Sequence, residues 1–226
     1  MARRSYDQFC GLAHALDVVG ERWTLLIVRE LMSGPKRYSD LAAALAGIGT
    51  SLLAARVKQL ESEGVVRRRL LDPPVASVVY ELTTRGDELA RAMVPLALWG
   101  ARHFMSAARA PEESFHAEWA LVFLADSLNG TTSANLNAEY EFHIDDAVAR
   151  LRVRDGKVDV TAGNSGTPAD AILRSDSATA AALAGGRMTV ADALTAGLIQ
   201  AEGQPESLAE LLELLSSQLL SLSSQI

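Results

Sequence analysis

Residues 37–64 read RYSDLAAALAGIGTSLLAARVKQLESEG, and the spacing of their apolar side chains decides the fold of the first half of the chain. Leu41, Ala44 and Leu45 recur at helical intervals, which predicts a helix over 40–45 with Ser39 as its N-cap and Gly47 closing it. After Gly47-Ile48-Gly49 a second helix is expected over 50–63, with Leu53, Val57 and Leu60 on one face and Gly64 at its end. Two short helices joined by a tight turn make a candidate helix-turn-helix. If the leucine face points inward, Ser51, Ala55, Lys58 and Ser62 point outward, with Thr50 at the helix start, and these side chains can enter a major groove. Ala55 can touch a thymine methyl, and Ser51 and Lys58 can bond either base edges or phosphate. The alternative for Lys58 and Gln59 is ordinary solvated surface.

Upstream, the apolar-rich stretch 12–19 predicts a first helix. Trp23, Leu26, Ile27, Glu30 and Leu31 repeat at helical spacing in a second, which Ser33-Gly34-Pro35 stops. Downstream the period changes: 65–71 and 78–83 are strand-like, around Asp72-Pro73-Pro74, whose prolines favour a turn. A β-hairpin directly after a helix-turn-helix is a wing. Lys36, Arg37, Arg56, Arg67, Arg68 and Arg69 supply positive charge for the DNA backbone, although strand alternation sends Arg68 to the face opposite Arg67 and Arg69. A long helix is then expected to about residue 106, with Leu89, Met93, Leu96, Gly100 and Phe104 in one stripe suited to a dimer interface.

A content of 49% hydrophobic and 22% charged residues suits packed globular structure rather than disorder. The net charge of −7 would argue against nucleic acid if it were uniform, but it is not. Residues 1–110 hold 15 Lys+Arg against 11 Asp+Glu, while 111–226 hold 6 against 17, so the halves carry +4 and −11. Phosphate binding needs local positive charge, which leaves the first half as the DNA-binding candidate. The break in charge divides the chain into 1–108 and 109–226. One cysteine excludes an internal disulfide framework, the N-terminus lacks the apolar core of a signal peptide, and no apolar run approaches the roughly 20 residues that cross a bilayer. A cytoplasmic protein without membrane contact is expected.

In the second half, Tyr140, Phe142 and Ile144 alternate with Glu141, His143 and Asp145. Leu151 and Val153 likewise alternate with Arg150, Arg152 and Arg154, so these are strands with one buried face. Asp155-Gly156 is a hairpin turn into Val158, Val160 and Ala162, and 171–173 adds a further strand. Helices follow over 177–184 and 190–196, a last strand over 198–201, and a terminal helix carrying the stripe Leu208, Leu211, Leu212, Leu215, Leu219 and Leu222. The fold class is therefore α+β, a winged helix-turn-helix followed by an antiparallel sheet packed against helices.

Both halves carry resemblances. The segments LDVVGERWT (16–24), RYSDL (37–41), RVKQLE (56–61), GVV (64–66), YELT (80–83) and Trp99-Gly100 together resemble the HxlR family of winged-helix regulators over most of 8–102. The resemblance implies a homodimer that binds an inverted-repeat operator in double-stranded DNA, with the helix at 50–63 in the major groove. The wing departs from the family pattern, carrying Val75-Ala76-Ser77 where a basic residue is common. From about 135 to 220, Pro168-Ala169-Asp170, Gly185-Gly186, Ala193-Leu194, Gly197-Leu198 and Glu202-Gly203 resemble the sterol-carrier-type lipid-binding domain. That implies a small apolar or lipid-like ligand between Tyr140, Phe142 and Ile144 on the sheet and Leu211 and Leu215 on the terminal helix. A plain core is the competing reading of the same residues.

No constellation for catalysis is visible. His14, His103, His116 and His143 are scattered, and Gly163-Asn164-Ser165-Gly166 lacks the spacing of a nucleophile elbow. No catalytic residue, metal or cofactor is expected. Cys10 stands where some HxlR relatives carry a redox-sensing thiol, with Arg3 and Arg4 nearby to lower its pKa; the plainer reading is a small buried hydrophobe at the dimer seam. A ligand-responsive DNA-binding regulator is the function these features favour. The alternative is a lipid carrier whose helix-turn-helix mediates protein association, although such a carrier has no reason to keep a basic winged helix beside an acidic domain.

Overall fold

The computed structural model describes residues 5–72, 74, 76–105, 109–129, 136–164 and 166–223. Arg3, Arg4, Pro73, Val75, Ser165 and residues 106–108 beside the expected domain boundary lie outside the described residues. The fold is α+β, in two compact units, Met1–Ala90 and Arg91–Ile226. Charge places the break near 108/109, whereas the structural division falls inside the long helix that begins at Thr84. Most of that helix packs with the second unit.

The first unit contains α1 (Gly11–Val19), α2 (Thr24–Met32), α3 (Tyr38–Ala44), α4 (Thr50–Ser62), β1 (Val66–Leu70) and β2 (Val78–Leu82). Ile27, Val28, Leu41, Leu53 and Leu60 are fully buried at its centre, and Val57, Val65, Val66 and Val79 extend that core beneath the hairpin. β1 and β2 pair antiparallel with Val66 opposite Leu82, and Lys36 adds a short third edge through reciprocal backbone hydrogen bonds with Tyr80 of 3.0 and 2.8 Å.

Two local expectations change. Helix α3 starts at Tyr38 with Arg37 in the N-cap position, because the Asp40 carboxylate, three residues on, accepts from the Arg37 backbone N–H at 2.9 Å and closes the first turn. Ser39 is therefore inside the helix. Trp23 stands just before α2 rather than within it, with a left-handed backbone (φ 79°), and its ring lies beside Gly47, itself at φ 96° in the α3–α4 turn. Glycine is also required at position 86, where an added Cβ would run into the Val65 carbonyl oxygen and come within 3.0 Å of Leu82.

Helix α5 (Thr84–Phe104) begins in the first unit and continues in the second, which further holds α6 (Ala117–Leu128), β3 (Ala138–Ile144), β4 (Ala147–Arg154), β5 (Lys157–Ala162), β6 (Ala171–Ser175), α7 (Ser177–Ala184), α8 (Val190–Thr195), β7 (Gln200–Gly203) and α9 (Pro205–Ser223). The strands form one sheet in the order β5-β4-β3-β6-β7. Asp155 and Gly156, both at positive φ, make the tight turn between β4 and β5. The expected antiparallel sheet is mixed: β3 and β6 run parallel, because the chain after β5 crosses back and re-enters beside β3 in the same direction.

One sheet face carries the core: Tyr140, Phe142, Ile144, Ala149, Leu151, Val153, Val158, Val160, Ala171 and Leu173 are all buried. Helix α6 covers it over β5, β4 and β3, and α9 over β6 and β7, so the central strand β3 lies beneath the line where the two helices meet. On α5, Val94 and Leu98 pack with Phe123 of α6 and Ala184 of α7. The stripe expected to be apolar and continuous is split: Met93 is buried, but Leu96 and Phe104 are exposed, as are the neighbouring Trp99 and Met105. Among the described residues no helix is long and apolar enough to cross a membrane.

Candidate functional site

Helix α4 presents Thr50, Ser51, Ala55 and Lys58 to solvent while Leu53, Val57 and Leu60 are buried, so the outward row expected from the spacing lies on one exposed flank. The Tyr38 hydroxyl donates to the Thr50 carbonyl oxygen at 2.6 Å and so fixes the start of α4 against α3. Sequence reasoning gave Tyr38 no role; its aromatic ring at the first turn of α3 was the available signal. At the same end of α3, Arg37 donates through Nε to Ser77 Oγ at 3.1 Å and ties the loop end of the wing to the helix-turn-helix.

The cationic residues divide into two groups. Lys36 is half-buried and contributes its backbone to the wing, whereas Lys58 is exposed on α4. Arg56 does not join them as an open phosphate contact. Its guanidinium bonds Glu21 Oε2 at 2.8 Å and Gln59 Oε1 at 2.9 Å, which turns it toward the α1–α2 connection. Arg67 and Arg69 share one wing face with Glu81, whose carboxylate accepts from the two at 2.7 and 2.9 Å. Partial burial pushes the Glu81 carboxyl up, but the bonds and charges of Arg69 and Arg67 outweigh it and hold it below the usual range. Half the positive charge of that pair is therefore answered inside the wing, while both arginines stay largely exposed.

Cys10 occupies the N-cap position of α1 and is exposed within the chain rather than buried. The backbone N–H groups of Ala13 and Leu12 lower its pKa, as a helix N-terminus does for a thiol. Tyr6, Phe9 and Leu12 around it are also exposed.

In the second unit Tyr140, Phe142, Ile144, Leu211 and Leu215 are all buried in the core between sheet and helices. The Tyr140 side chain is fully buried, yet its hydroxyl has no hydrogen-bond partner. Burial, reinforced by the charges of Glu210 and Asp170, pushes that phenol up to about 12.

The opposite sheet face holds an ionic network that alternation alone reads as solvated. Arg150, buried, donates to Glu141 Oε2 at 3.0 and 2.6 Å, to the Thr167 carbonyl oxygen at 2.5 Å and to Asn164 Oδ1 at 3.2 Å. Arg152 and Arg150 both bond Glu139, and His143 Nε2 lies 2.6 Å from Glu141 Oε1. The Arg152 hydrogen bond, aided by Arg150 against the opposing effect of burial, holds the Glu139 carboxyl at about 2. The cross-strand register Glu139↔Arg152 and Glu141↔Arg150 creates this pairing, and it could have been found by aligning β3 with β4 through the Asp145-Asp146 turn.

Two helices at a tight turn, an exposed flank on the second and a hairpin locked to the first define a winged helix-turn-helix regulator of transcription. The chain belongs to the HxlR-like helix-turn-helix family, which matches residues 18–108. Among its relatives, the HTH-type transcriptional regulator YvaP of Bacillus subtilis is 36% identical over 85 residues, covering 38% of this chain and 79% of YvaP. The HTH-type transcriptional regulator YodB of the same organism is 34% identical over 85 residues, covering 38% of this chain and 76% of YodB. The structure of reduced YodB superposes with a TM-score of 0.39 at 31% identity, covering 43% of this chain and 96% of that one. Residues 113–219 match the alkyl sulfatase C-terminal family, in place of the sterol-carrier-type domain that the residue spacing suggested.

Proposed function

We propose that the protein is a homodimeric regulator that reads an inverted-repeat operator through α4 and is modulated by a small apolar ligand held in its second unit. The observation that carries the DNA reading is the division of labour on α4. Thr50, Ser51, Ala55 and Lys58 face solvent in one row, while Arg56 on the adjoining flank is committed to Glu21 and Gln59. A row of small polar side chains with one cation suits base edges flanked by phosphate. Lys36 and Arg37 beside the wing, and Arg67 and Arg69 on its face, then supply backbone contacts.

The exposed apolar residues Leu96, Trp99 and Phe104 of α5, and Met105 just after it, support dimerisation, since a lone chain would leave them in water. Ligand modulation rests on the buried apolar side chains of Tyr140, Phe142 and Ile144 lying under the junction of α6 and α9, with an orphaned hydroxyl on Tyr140. The relatives named above are transcriptional regulators, which supports a regulatory reading over an enzymatic one.

The test is selection from a random duplex library with the purified full chain, followed by footprinting and light scattering. The expected outcome is an enriched inverted repeat protected by a dimer, with half-sites about one helical turn, ~10 bp, apart. Absence of any enriched sequence would overturn the reading.

A further inference from the structure

We infer that the ligand of the second unit is an uncharged molecule with one polar group, a long-chain or cyclic alcohol or ketone, whose oxygen bonds the Tyr140 hydroxyl. This rests on the proposed ligand reading and deepens it. A buried hydroxyl without a partner is rare in a folded core, because leaving it unpaired forfeits the hydrogen bond it made to water in the unfolded chain. Tyr140 shows this condition with its side chain fully buried and its hydroxyl unpaired. Its position is also the one a ligand would reach. It lies on the central strand β3, opposite Leu151 of β4 and Ala171 of β6, beneath the line where α6 and α9 meet. Among the described residues, a ligand that parts those two helices meets the buried apolar side chains Phe142, Ile144, Leu211 and Leu215 and the Tyr140 hydroxyl.

The electrostatics select the head group. Glu210 on α9 and Asp170 before β6 both act on the Tyr140 hydroxyl through their charge. The same two carboxylates disfavour any anion bonded there, and the surrounding half of the chain carries 17 acidic residues against 6 basic ones. Arg150, the buried cation of this unit, points its hydrogen bonds to Glu139, Glu141, Asn164 and Thr167 on the other sheet face and cannot answer an anion at Tyr140. A carboxylate or sulfate head is therefore excluded, although the domain matches a family named for alkyl sulfatases. The phenol can donate to a ketone or alcohol oxygen, and it can accept from an alcohol.

The experiment is displacement of Nile red, an uncharged apolar dye, from the full-length protein by 1-decanol and by decanoate at pH 8. Wild type should favour decanol at least tenfold. Tyr140→Phe should fold, since it removes only the orphaned hydroxyl, and should weaken decanol about three- to tenfold, the worth of one hydrogen bond. Glu210→Gln, an exposed change on α9, should strengthen decanoate while leaving decanol within twofold. Equal affinity for the two probes, or a decanol affinity untouched by Tyr140→Phe in a protein with unchanged circular dichroism, would overturn this inference and leave the ligand reading standing. Failure of every apolar probe to bind would overturn the ligand reading as well.

Discussion

Arg187, in the loop between α7 and α8, donates to the Met105 carbonyl oxygen at 2.7 Å and, through its other terminal nitrogen, to the Ala101 carbonyl oxygen at 2.7 Å. It thereby caps the end of α5, whose last carbonyls have no partner within the helix. Gly185 keeps this approach open: a Cβ there would collide with the Arg187 guanidinium and come within 3.1 Å of the Ala101 carbonyl oxygen. Replacing Arg187 by alanine should destabilise the second unit by about 1 kcal/mol, the net worth of such bonds, and raise hydrogen exchange in the last turn of α5. Lysine should recover only part of the loss, because one ammonium cannot span two carbonyls as the planar fork does. Melting curves and exchange indistinguishable from wild type would contradict the cap.

Helix α5 begins in the first unit and continues in the second, where the Arg187 cap holds its end. Any ligand that alters operator affinity must bind the two states of such an element unequally. Arg187→Ala is accordingly expected to reduce the effect of an apolar ligand on operator affinity while leaving ligand affinity in place, measured by paired titrations with and without DNA.

The Glu139 carboxyl predicts a pH dependence of stability. Its folded-state value of about 2 lies below the ordinary 4.5, so its contribution is fully present above about pH 4.5 and is lost as the pH falls toward 2. Glu141 and Asp145, both also lowered, act in the same direction. Glu139→Gln should be less stable than wild type by about 2 kcal/mol at pH 7, with the gap clearly narrower at pH 3 and closing only toward pH 2. Urea denaturation at the two pH values measures it, and a gap independent of pH would remove Glu139 as the titrating group.

Arg56 and Lys58 should separate stability from DNA binding. Arg56→Ala breaks the bonds to Glu21 and Gln59 and is expected to lower stability by about 1 kcal/mol, with a small effect on DNA. Lys58→Ala is expected to leave the melting temperature unchanged and to weaken DNA binding. A reversed pattern would mean that Arg56 swings out to phosphate in the complex.

Cys10 is exposed and its thiol is lowered by the start of α1, so the chain alone gives it no buried structural role. Operator binding that survives mild oxidation, with Cys10→Ser behaving as wild type, is expected if its role is packing at a subunit seam. Oxidant-dependent release that disappears in Cys10→Ser would establish a redox function instead.

The helix-turn-helix was legible because Leu41, Leu53, Val57 and Leu60 each bury one face of a short helix and glycines mark the turns. Arg56 was not, since its partner Glu21 lies 35 residues away and only the fold brings them together. Helix α6 escaped notice for the opposite reason. Leu121, Val122, Leu124, Ala125 and Leu128 are buried on nearly all sides between sheet and helices, so the segment lacks the one-sided period by which a helix is read. The parallel pairing of β3 with β6 depends on a crossover and leaves no mark in alternation. The alternation did give the core face of Tyr140, Phe142 and Ile144, but not that its polar counterpart is itself closed over Arg150 and Glu141.

The most direct measurement compares wild type with the double variant Ser51→Ala, Lys58→Ala on the selected operator and on random duplex at one fixed salt concentration. With α4 in the major groove, the operator should lose about ten- to a hundredfold in affinity and random duplex much less, since each good base contact is worth about 1–3 kcal/mol of discrimination. Equal losses on both duplexes would contradict it, leaving these residues on phosphate and the reading of sequence to another part of the fold.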